Sequence, residues 1–308
     1  MTASKGNAPG NGLIATATSF RWRTDPSSHD ELLFEHLAKQ LFISEPDASD
    51  LIDFGSIHIN GRAVRNPSWR LSGNEEVWVY LPLHGTRRAY EINPDRILYR
   101  DACLLAYNKE AGIPSQQTPA DAYNNLYAAV YRHLSKDSPS PYVALHHRLD
   151  QETSGVMLFA VDRTVNRSLG NAFQKHNVGK DYLAWVEGVP SKDEWICKKA
   201  IGRKGGRYLI RSSDKGKTAE TWFKVIFSDG DSLVLARPLT GRTHQIRLHL
   251  AADGHPVMGD RLYGGRRAKR LLLHAYRLRL WHPTTKGELR ITAPIPEDWP
   301  LPQSVDFG

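Results

Sequence analysis

The sequence has few cysteines and no long hydrophobic run. Its two cysteines, Cys103 and Cys197, lie far apart among 308 residues, which excludes a disulfide scaffold and a cysteine-rich zinc or iron–sulfur site. The longest apolar run, Val156 to Val161, is too short for a transmembrane helix, so we expect no membrane partner. The N-terminus lacks a basic start followed by an apolar core, so we expect no secretory signal and a cytoplasmic location.

Acidic residues are too few to balance the basic ones. The chain has 41 Lys and Arg residues against 33 Asp and Glu residues, a net charge of +8. Residues 1–80 hold seven basic and ten acidic residues, a net charge of −3, whereas the rest holds 34 and 23, a net charge of +11. The surplus therefore lies after residue 80, where we expect an anionic partner to bind.

Composition and hydrophobic spacing divide the chain into segments. The 40% hydrophobic content is enough for a folded core, but the N-terminal residues are polar and lack periodicity. Two short helical patterns then precede an Asn60-Gly61 turn, which is a strong hairpin feature. The predicted segments are a flexible N-terminal segment (1–27), a small module of helices and strands (28–82), a linker (83–96) and a large domain (97–308).

The large domain is predicted to be rich in strands. Only two helices are expected in it, over Thr164–His176 and Thr243–Asp253, so the pattern indicates an α+β fold rather than a doubly wound sheet. The predicted strands are Ile97–Asn108, Gly155–Val161, Tyr182–Val186, Thr221–Phe227, Ser232–Ala236, Leu271–Leu280 and Leu289–Thr292.

The stretch from His147 to Gly155 is the most informative part of the sequence. It reads His-Arg-Leu-Asp-Gln-Glu-Thr-Ser-Gly and precedes an apolar strand. Hydroxyls and N–H groups of the turn can fix the carboxylate of Asp150, and nearby arginines can keep it ionised for catalysis. The alternative is an aspartate that only caps the turn, which is common in proteins.

A second polar cluster extends from Gly241 to His249 and predicts the start of a substrate-binding helix, or else a solvated helix face. A zinc site of His244, His249 and His255 is disfavoured, because the spacings do not match a helical metal pair. In a separate stretch, Tyr182 lies on a predicted strand, where it can stack on a base or be an ordinary half-buried tyrosine.

Two glycine-containing runs are strongly basic. Gly202–Arg207 and Gly264–Arg270 place lysines and arginines on loops that suit phosphate contact, although solvated hairpin tips would have the same composition. Because these runs flank the other motifs, they favour RNA or DNA as the partner.

Taken together, these stretches resemble the RluA family of pseudouridine synthases. The resemblance covers residues 97–303 and rests on motifs in the family's order, including His147 to Gly155, Lys180-x-Tyr182-x-Ala184 and Gly241 to His249. It implies a pseudouridine synthase fold, with a central mixed and mostly antiparallel sheet flanked by helices and loops. The stretch Gly55–Gly61 resembles an S4 RNA-binding module, but Pro46–Asp53 makes its second helix acidic.

The resemblance also implies roles for individual residues. Asp150 is the essential carboxylate, Arg247 its partner arginine and Tyr182 the active-site tyrosine, with no metal and no cofactor. Asp150 would attack C1′ or remove a 2′ proton. The substrate would be structured RNA with an extruded uridine, ribosomal RNA being favoured over transfer RNA, and the enzyme a monomer. The predicted RNA-binding residues are Arg148, Thr153, Arg242, His244, Gln245, Arg203, Lys204, Arg207, Arg266 and Arg267.

Two rival functions remain at this point. The first is a non-catalytic RNA-binding protein with the same fold, although such a protein would need none of the set Asp150, Tyr182 and Arg247. The second is an unrelated metal hydrolase that uses the histidines.

Overall fold

The computed structural model describes residues 14–15, 19–82 and 85–300. Most of the predicted flexible segment, and residues 83–84 of the predicted linker, lie outside the described residues. The chain forms two compact units, one of Met1–Glu91 with Gln116–Ala129 and the other of Ile92–Ser115 with Val130–Gly308. The predicted boundaries at residues 28, 83 and 97 stay predictions.

The first unit is a five-stranded antiparallel sheet with two helices, α1 and α2. Its strands run in the order β1-β2-β5-β3-β4. The apolar faces of both helices are buried in one core with the sheet. The elements are β1 (Ile14–Ala15), β2 (Ser19–Arg23), α1 (Leu33–Leu41), α2 (Glu45–Asp53), β3 (Ile57–Ile59), β4 (Arg62–Val64) and β5 (Glu76–Tyr80).

Two details of the first unit differ from the sequence-based expectation. Strand β2 lies where a flexible segment was predicted, and it forms because Trp22 is buried at 4% exposure in the core of the unit. Helix α2 begins at Glu45 rather than Asp47, because the Ser44 hydroxyl accepts a hydrogen bond from the Asp47 N–H group at 3.2 Å.

The remaining elements build the second unit, and helix α3 contains residues of both units. None of the helices among the described residues has the length and apolar composition needed to cross a membrane. The elements are β6 (Ile97–Arg100), β7 (Leu104–Lys109), α3 (Leu126–Leu134), β8 (Ala144–Leu145), β9 (Ser154–Ala160), α4 (Asn166–Gln174), β10 (Gly179–Val186), β11 (Glu194–Cys197), β12 (Ile201–Lys204), β13 (Arg207–Ile210), β14 (Thr221–Asp229), β15 (Asp231–Pro238), α5 (Gln245–Ala252), β16 (Leu273–Trp281) and β17 (Glu288–Thr292).

A ten-stranded mixed sheet forms the centre of the second unit. Its main path is β11-β14-β15-β10-β16-β9-β7-β6, with β17 beside β16 and β8 beside β9. All pairs are antiparallel except β9 with β16. Every residue of β9 is buried, as expected of a strand with both faces covered. The predicted α+β class with a mixed, mostly antiparallel sheet is confirmed.

Local backbone features of this unit explain why two observed elements differ from the predicted ones. The expected single strand over Ile97–Asn108 is two strands, because the Asp101 carboxylate accepts the N–H groups of Cys103 and Leu104 at 2.8 and 2.7 Å and forms a turn. Helix α5 begins only at Gln245, because His244 has a left-handed backbone with φ of 56°.

Candidate active site

A cavity of about 520 Å³ opens beside the central sheet of the second unit. This volume lies within the range of about 300 to 1,000 Å³ that small-molecule sites occupy. Its walls come from the loop before β9, from α4, from β10 and from the loop between β15 and α5. The predicted site residues that line it are Arg148, Asp150, Thr153, Tyr182, Arg242, His244, Gln245 and Arg247.

Asp150 lies in the turn that leads into β9. The Thr153 N–H group donates to the Asp150 carbonyl oxygen at 3.1 Å and closes the turn. The next residues, Ser154 and Gly155, join β9 to β16 in parallel pairing. Gly155 has φ of 113°, and a Cβ atom there would be 2.2 Å from the Ala275 carbonyl oxygen. The strand that holds Asp150 therefore requires glycine at this point.

Lys109 supports the same turn from behind and was not predicted as a site residue. The side chain is fully buried at the end of β7. Its Nζ donates to the carbonyl oxygens of Glu110, Ile113 and Gln151 at 2.8, 2.7 and 3.0 Å. Because Gln151 follows Asp150, the lysine fixes the backbone beside the predicted catalytic carboxylate.

Arg247 connects Asp150 to a second, buried carboxylate. Its Nη1 lies 3.3 Å from Oδ2 of Asp150, and its Nε and Nη2 donate to the two oxygens of Asp260 at 2.6 and 2.8 Å. Arg247 and Asp260 are 5% and 1% exposed. Burial alone would lower the pKa of Arg247, but the hydrogen bonds and charge of Asp260, followed by the charge of Asp150, raise it.

Asp260 is the main element of the site that the sequence analysis missed. Its carboxylate also accepts the N–H groups of Leu262 and Tyr263 at 3.0 and 3.2 Å, so its orientation is fixed by its own loop. The sequence does contain the Gly259-Asp260 and Leu262-Tyr263-Gly264 motifs. The role of Asp260 in the site, however, depends on its contact with Arg247 of helix α5, which only the folded chain reveals.

His244 lies at the start of α5 and faces Asp150. Its Nε2 is 3.8 Å from Oδ2 of Asp150, and its Nδ1 is 2.7 Å from the Tyr263 hydroxyl. That hydroxyl also donates to the Tyr208 carbonyl oxygen at 3.2 Å. Burial lowers the pKa of His244 although the charge of Asp150 opposes this shift, so burial favours the neutral ring.

Tyr182 contributes an aromatic ring to the cavity. It lies on β10 opposite two small residues, Ala236 of β15 and Ala275 of β16, which leave room beside the ring. Burial, followed by the nearby charge of Asp150, raises the pKa of Tyr182 far above its ordinary value. The phenol is therefore neutral and can stack or exchange hydrogen bonds.

Two other polar residues of the cavity, Gln245 and Thr153, differ in whether their side chains are hydrogen-bonded within the protein. The Gln245 amide is fully used: it accepts from Thr240 and Arg242 and donates to Glu220 and Thr221. Thr153 is the opposite case, because its buried Oγ1 has no hydrogen-bond partner among the described residues. Gln245 thus shapes the wall, whereas the buried Thr153 hydroxyl is left unpaired among the described residues.

The two basic runs have different settings. Arg203, Lys204 and Arg207 lie exposed on the β12–β13 hairpin. The hairpin lies beside the cavity, because the ring of Tyr208 is 5.8 Å from that of His244. Arg267 is also exposed.

Two arginines of the second run are ion-paired: Arg266 with Glu187 and Asp231, and Arg270 with Asp298. The structure therefore leaves the cations of the hairpin more available to an anion than Arg266. RNA binding by either run stays a prediction.

The histidines proposed for the rival metal site are not assembled into one. His249 is fully buried, with Nδ1 bonded to the Thr221 hydroxyl and Nε2 to the Lys199 carbonyl oxygen, both at 2.9 Å. Nδ1 of His255 is bonded to the Glu187 carbonyl oxygen at 2.8 Å. Both rings are thus engaged by the protein itself.

Asp101, Cys103 and His282 form the one group of potential metal ligands found among the described residues. The Nδ1 atom of His282 accepts the N–H groups of Thr284 and Thr285 at 3.3 and 3.1 Å. The ring proton therefore lies on Nε2, where it donates to Asp101 at 2.7 Å. That proton occupies the nitrogen a metal would need, so the cluster fits a structural hydrogen-bond network.

Comparison with known proteins gives the class of this molecule. Residues 103–252 match the family described as RNA pseudouridylate synthase. The ribosomal large subunit pseudouridine synthase C of Pasteurella multocida is 31% identical over 308 residues, covering 86% of this chain and 93% of that protein. The protein of the same name from Escherichia coli K12 is 33% identical over 273 residues, covering 79% and 82%.

A solved structure agrees with the sequence relatives. Human RNA pseudouridylate synthase domain containing 4 superposes with a TM-score of 0.57 at 26% identity, covering 66% of this chain and 89% of that one. Fold and relatives together define an isomerase that acts on RNA. The chain belongs to the RNA pseudouridylate synthase family, whose enzymes form pseudouridine.

Proposed function

We propose that this enzyme converts uridine to pseudouridine in large-subunit ribosomal RNA, and that Asp150 is the carboxylate on which the reaction depends. The observation that carries the proposal is the position of Asp150 in the cavity, held by Arg247, which is itself locked to buried Asp260. The substrate is supported by relatives named for the large ribosomal subunit, which this chain matches over most of their length.

Asp150 acts on the glycosidic bond. The reaction breaks the C1′–N1 bond, turns the base and joins C1′ to C5, which loses its proton while N1 gains one. Positive character develops at the sugar during cleavage, and an ionised carboxylate can attack C1′ or remove the 2′ proton. Both routes use the charged form of Asp150, and Nη1 of Arg247 lies 3.3 Å from its Oδ2.

Tyr182 holds the base during its rotation and assists proton transfer. Its ring offers a stacking surface for uracil, and its phenol is neutral in the cavity. A neutral phenol can accept the C5 proton only while it releases its own proton. Asp150 is the carboxylate whose charge acts on this phenol and is therefore the natural acceptor.

The target uridine must leave the RNA stack to reach Asp150. Arg148 is exposed at the rim of the cavity beside the carboxylate, where it can fill the gap and contact a phosphate. The unpaired hydroxyl of Thr153 and the ring of His244 then offer hydrogen bonds to the extruded nucleotide. Arg242 lines the same wall of the cavity.

RNA affinity outside the cavity belongs mainly to the second unit. The exposed β12–β13 hairpin supplies cations beside the site, and Arg267 supplies another. The first unit combines two helices and a hairpin as an S4-like module would, but α2 carries Glu45, Asp47, Asp50 and Asp53. We assign that helix no phosphate contact, because the charges repel. The enzyme is proposed to act as a cytoplasmic monomer.

Purified protein incubated with separate transcripts tests the substrate. The transcripts are large-subunit ribosomal RNA, small-subunit ribosomal RNA and transfer RNA, and pseudouridine is mapped by chemical labelling and reverse transcription. We expect modification at specific uridines of the large-subunit transcript. Modification of transfer RNA alone would replace the proposed substrate, whereas binding without modification of any RNA would favour a non-catalytic RNA-binding protein.

A further inference from the structure

Lys180 is a cation of the cavity that the mechanism above does not use. It lies on β10 two residues before Tyr182, and both side chains line the cavity. The lysine is half-buried, and no hydrogen bond or ion pair joins its ammonium group to another described residue. An ammonium group that is partly withdrawn from water and has no counter-charge is unfavourable unless a ligand supplies that charge.

Apart from Arg148, which is exposed at the rim, the other charged groups of the cavity are engaged elsewhere. Arg247 is paired with Asp150 and Asp260, and Nε of Arg242 donates to the Thr218 carbonyl oxygen at 3.0 Å. Asp150 is the only carboxylate among the described residues that line the cavity, and its partners are Arg247 and His244. Lys180 is therefore left without an acidic partner.

The C-terminal end of α4 offers no substitute for this missing acidic partner. Its last turn lines the cavity through Phe173 and Gln174. The carbonyl oxygens of Asn171, Ala172 and Phe173 already accept the N–H groups of residues 175, 177 and 176. The adjoining wall is the ring of His147, which stacks on Phe173 at 4.7 Å and accepts the Leu158 N–H group at 2.9 Å. This wall is therefore polar, but it has no acidic group that could pair with Lys180.

We propose that Lys180 binds the RNA phosphodiester next to the target uridine, so that the α4 side of the cavity is a phosphate subsite. The inference rests on the proposed function, because it places uracil on Tyr182. Side chains two residues apart on a strand are separated by about 7 Å, an offset that suits the sugar–phosphate backbone rather than the stacked base. Burial lowers the pKa of Lys180, and a bound phosphate would raise it again.

Three variants test the subsite through RNA binding, apart from chemistry. Lys180→Met removes the charge and keeps the length, Lys180→Arg keeps the charge, and Lys224→Met removes an exposed lysine of β14 outside the cavity. The probe is a labelled single-stranded oligouridylate titrated at several salt concentrations. Lys180→Gln replaces the Met variant if the latter has a lowered melting temperature.

We expect Lys180→Met to bind about tenfold more weakly, with a log–log salt slope smaller by about 0.7. Lys180→Arg and Lys224→Met should retain the affinity and slope of wild type. At saturating large-subunit transcript, Lys180→Met should keep its single-turnover rate, because the phosphate contact acts in binding.

Unchanged affinity and slope in Lys180→Met would overturn the phosphate subsite. So would a loss confined to the single-turnover rate, which would place Lys180 in the chemistry. Absence of pseudouridine in the wild-type reaction would refute the proposed function instead, and the binding measurements would still decide whether Lys180 contacts phosphate.

Discussion

Arg247 is bonded twice to Asp260, at 2.6 and 2.8 Å, but touches Asp150 through a single nitrogen at 3.3 Å. The bidentate pair fixes the plane of the guanidinium, since both of its members are buried. Asp150, with a side chain 19% exposed, keeps one side open to the cavity. Asp260 therefore positions the arginine, and Asp150 stays free to react.

Asp260→Asn should lower kcat while preserving RNA affinity. The amide keeps an oxygen for the N–H groups of Leu262 and Tyr263 but loses the charge that orients Arg247. We expect kcat to fall about 100-fold, as for other small displacements of catalytic groups. Single-turnover kinetics and RNA titration check this. Asp253→Asn is the matched control, because Asp253 bonds to Trp195 and Lys199 instead; an equal kcat loss there would refute the positioning role.

Lys109→Met should destabilise the fold around Asp150. The substitution keeps the buried volume but removes the lysine donor from three carbonyl oxygens, of which that of Gln151 keeps the Gly112 N–H group at 2.9 Å. The free energy of unfolding should therefore fall by roughly 3 kcal/mol. Denaturant titration measures the loss. Lys224→Met, on the exposed face of β14, should change stability by less than about 0.5 kcal/mol. A Lys109→Met protein as stable as the control would contradict the assigned role.

The contribution of Lys109 should also depend on pH. Burial lowers its pKa from 10.5 to about 7 in the folded protein. Between these values the unfolded chain binds the proton more strongly, so the stability of wild type relative to Lys109→Met should rise with pH. The rise should approach about 1.4 kcal/mol per pH unit at most. Denaturant titrations of both proteins between neutral and alkaline pH check it, and a difference that falls with pH would contradict the lowered pKa of Lys109.

Gly155→Ala should break the parallel pairing of β9 with β16. The added Cβ would lie 2.2 Å from the Ala275 carbonyl oxygen, in addition to the strain of φ at 113°. We expect a loss of at least about 3 kcal/mol, together with loss of activity. Gly230→Ala separates the two effects, because φ there is 69° and nothing lies within 4 Å. Equal losses of stability in both variants would mean that the close approach of Gly155 to the Ala275 carbonyl oxygen is unimportant.

Much of the fold follows from the sequence because its strands alternate and its turns have specific chemistry. The Asn60-Gly61 hairpin and strands β10, β14 and β15 follow the predicted pattern. Helix α3 was missed although Asn125 caps it, accepting the Ala128 N–H group at 3.0 Å. A cap of this kind is a weak feature without a clear hydrophobic period beside it.

The candidate site was predictable only in part. Motif order identified Asp150, Tyr182 and Arg247, and the structure brings all three to one cavity. Lys109 and Asp260 support these residues through contacts between distant parts of the chain. Neither a buried lysine bonded to carbonyl oxygens nor a bidentate ion pair leaves a local pattern in sequence, so both required the folded structure.

The charge of the β12–β13 hairpin should govern nonspecific RNA affinity. Replacing Arg203, Lys204 and Arg207 by Gln should reduce the log–log salt slope for oligouridylate by about 2, as expected for three lost phosphate contacts. The control replaces three exposed arginines of the first unit, Arg23, Arg62 and Arg87, by Gln. A larger loss of slope in the control would show that the first unit carries the RNA contacts.

Asp150→Asn tests the central claim most directly. The amide keeps the size of the carboxylate but cannot attack C1′ or remove a proton, so the single-turnover rate should fall by at least about 10,000-fold. Melting temperature and RNA affinity should stay close to wild type. The measurement is pseudouridine formed in large-subunit ribosomal RNA over time. A rate within about tenfold of wild type would show that the reaction does not depend on Asp150.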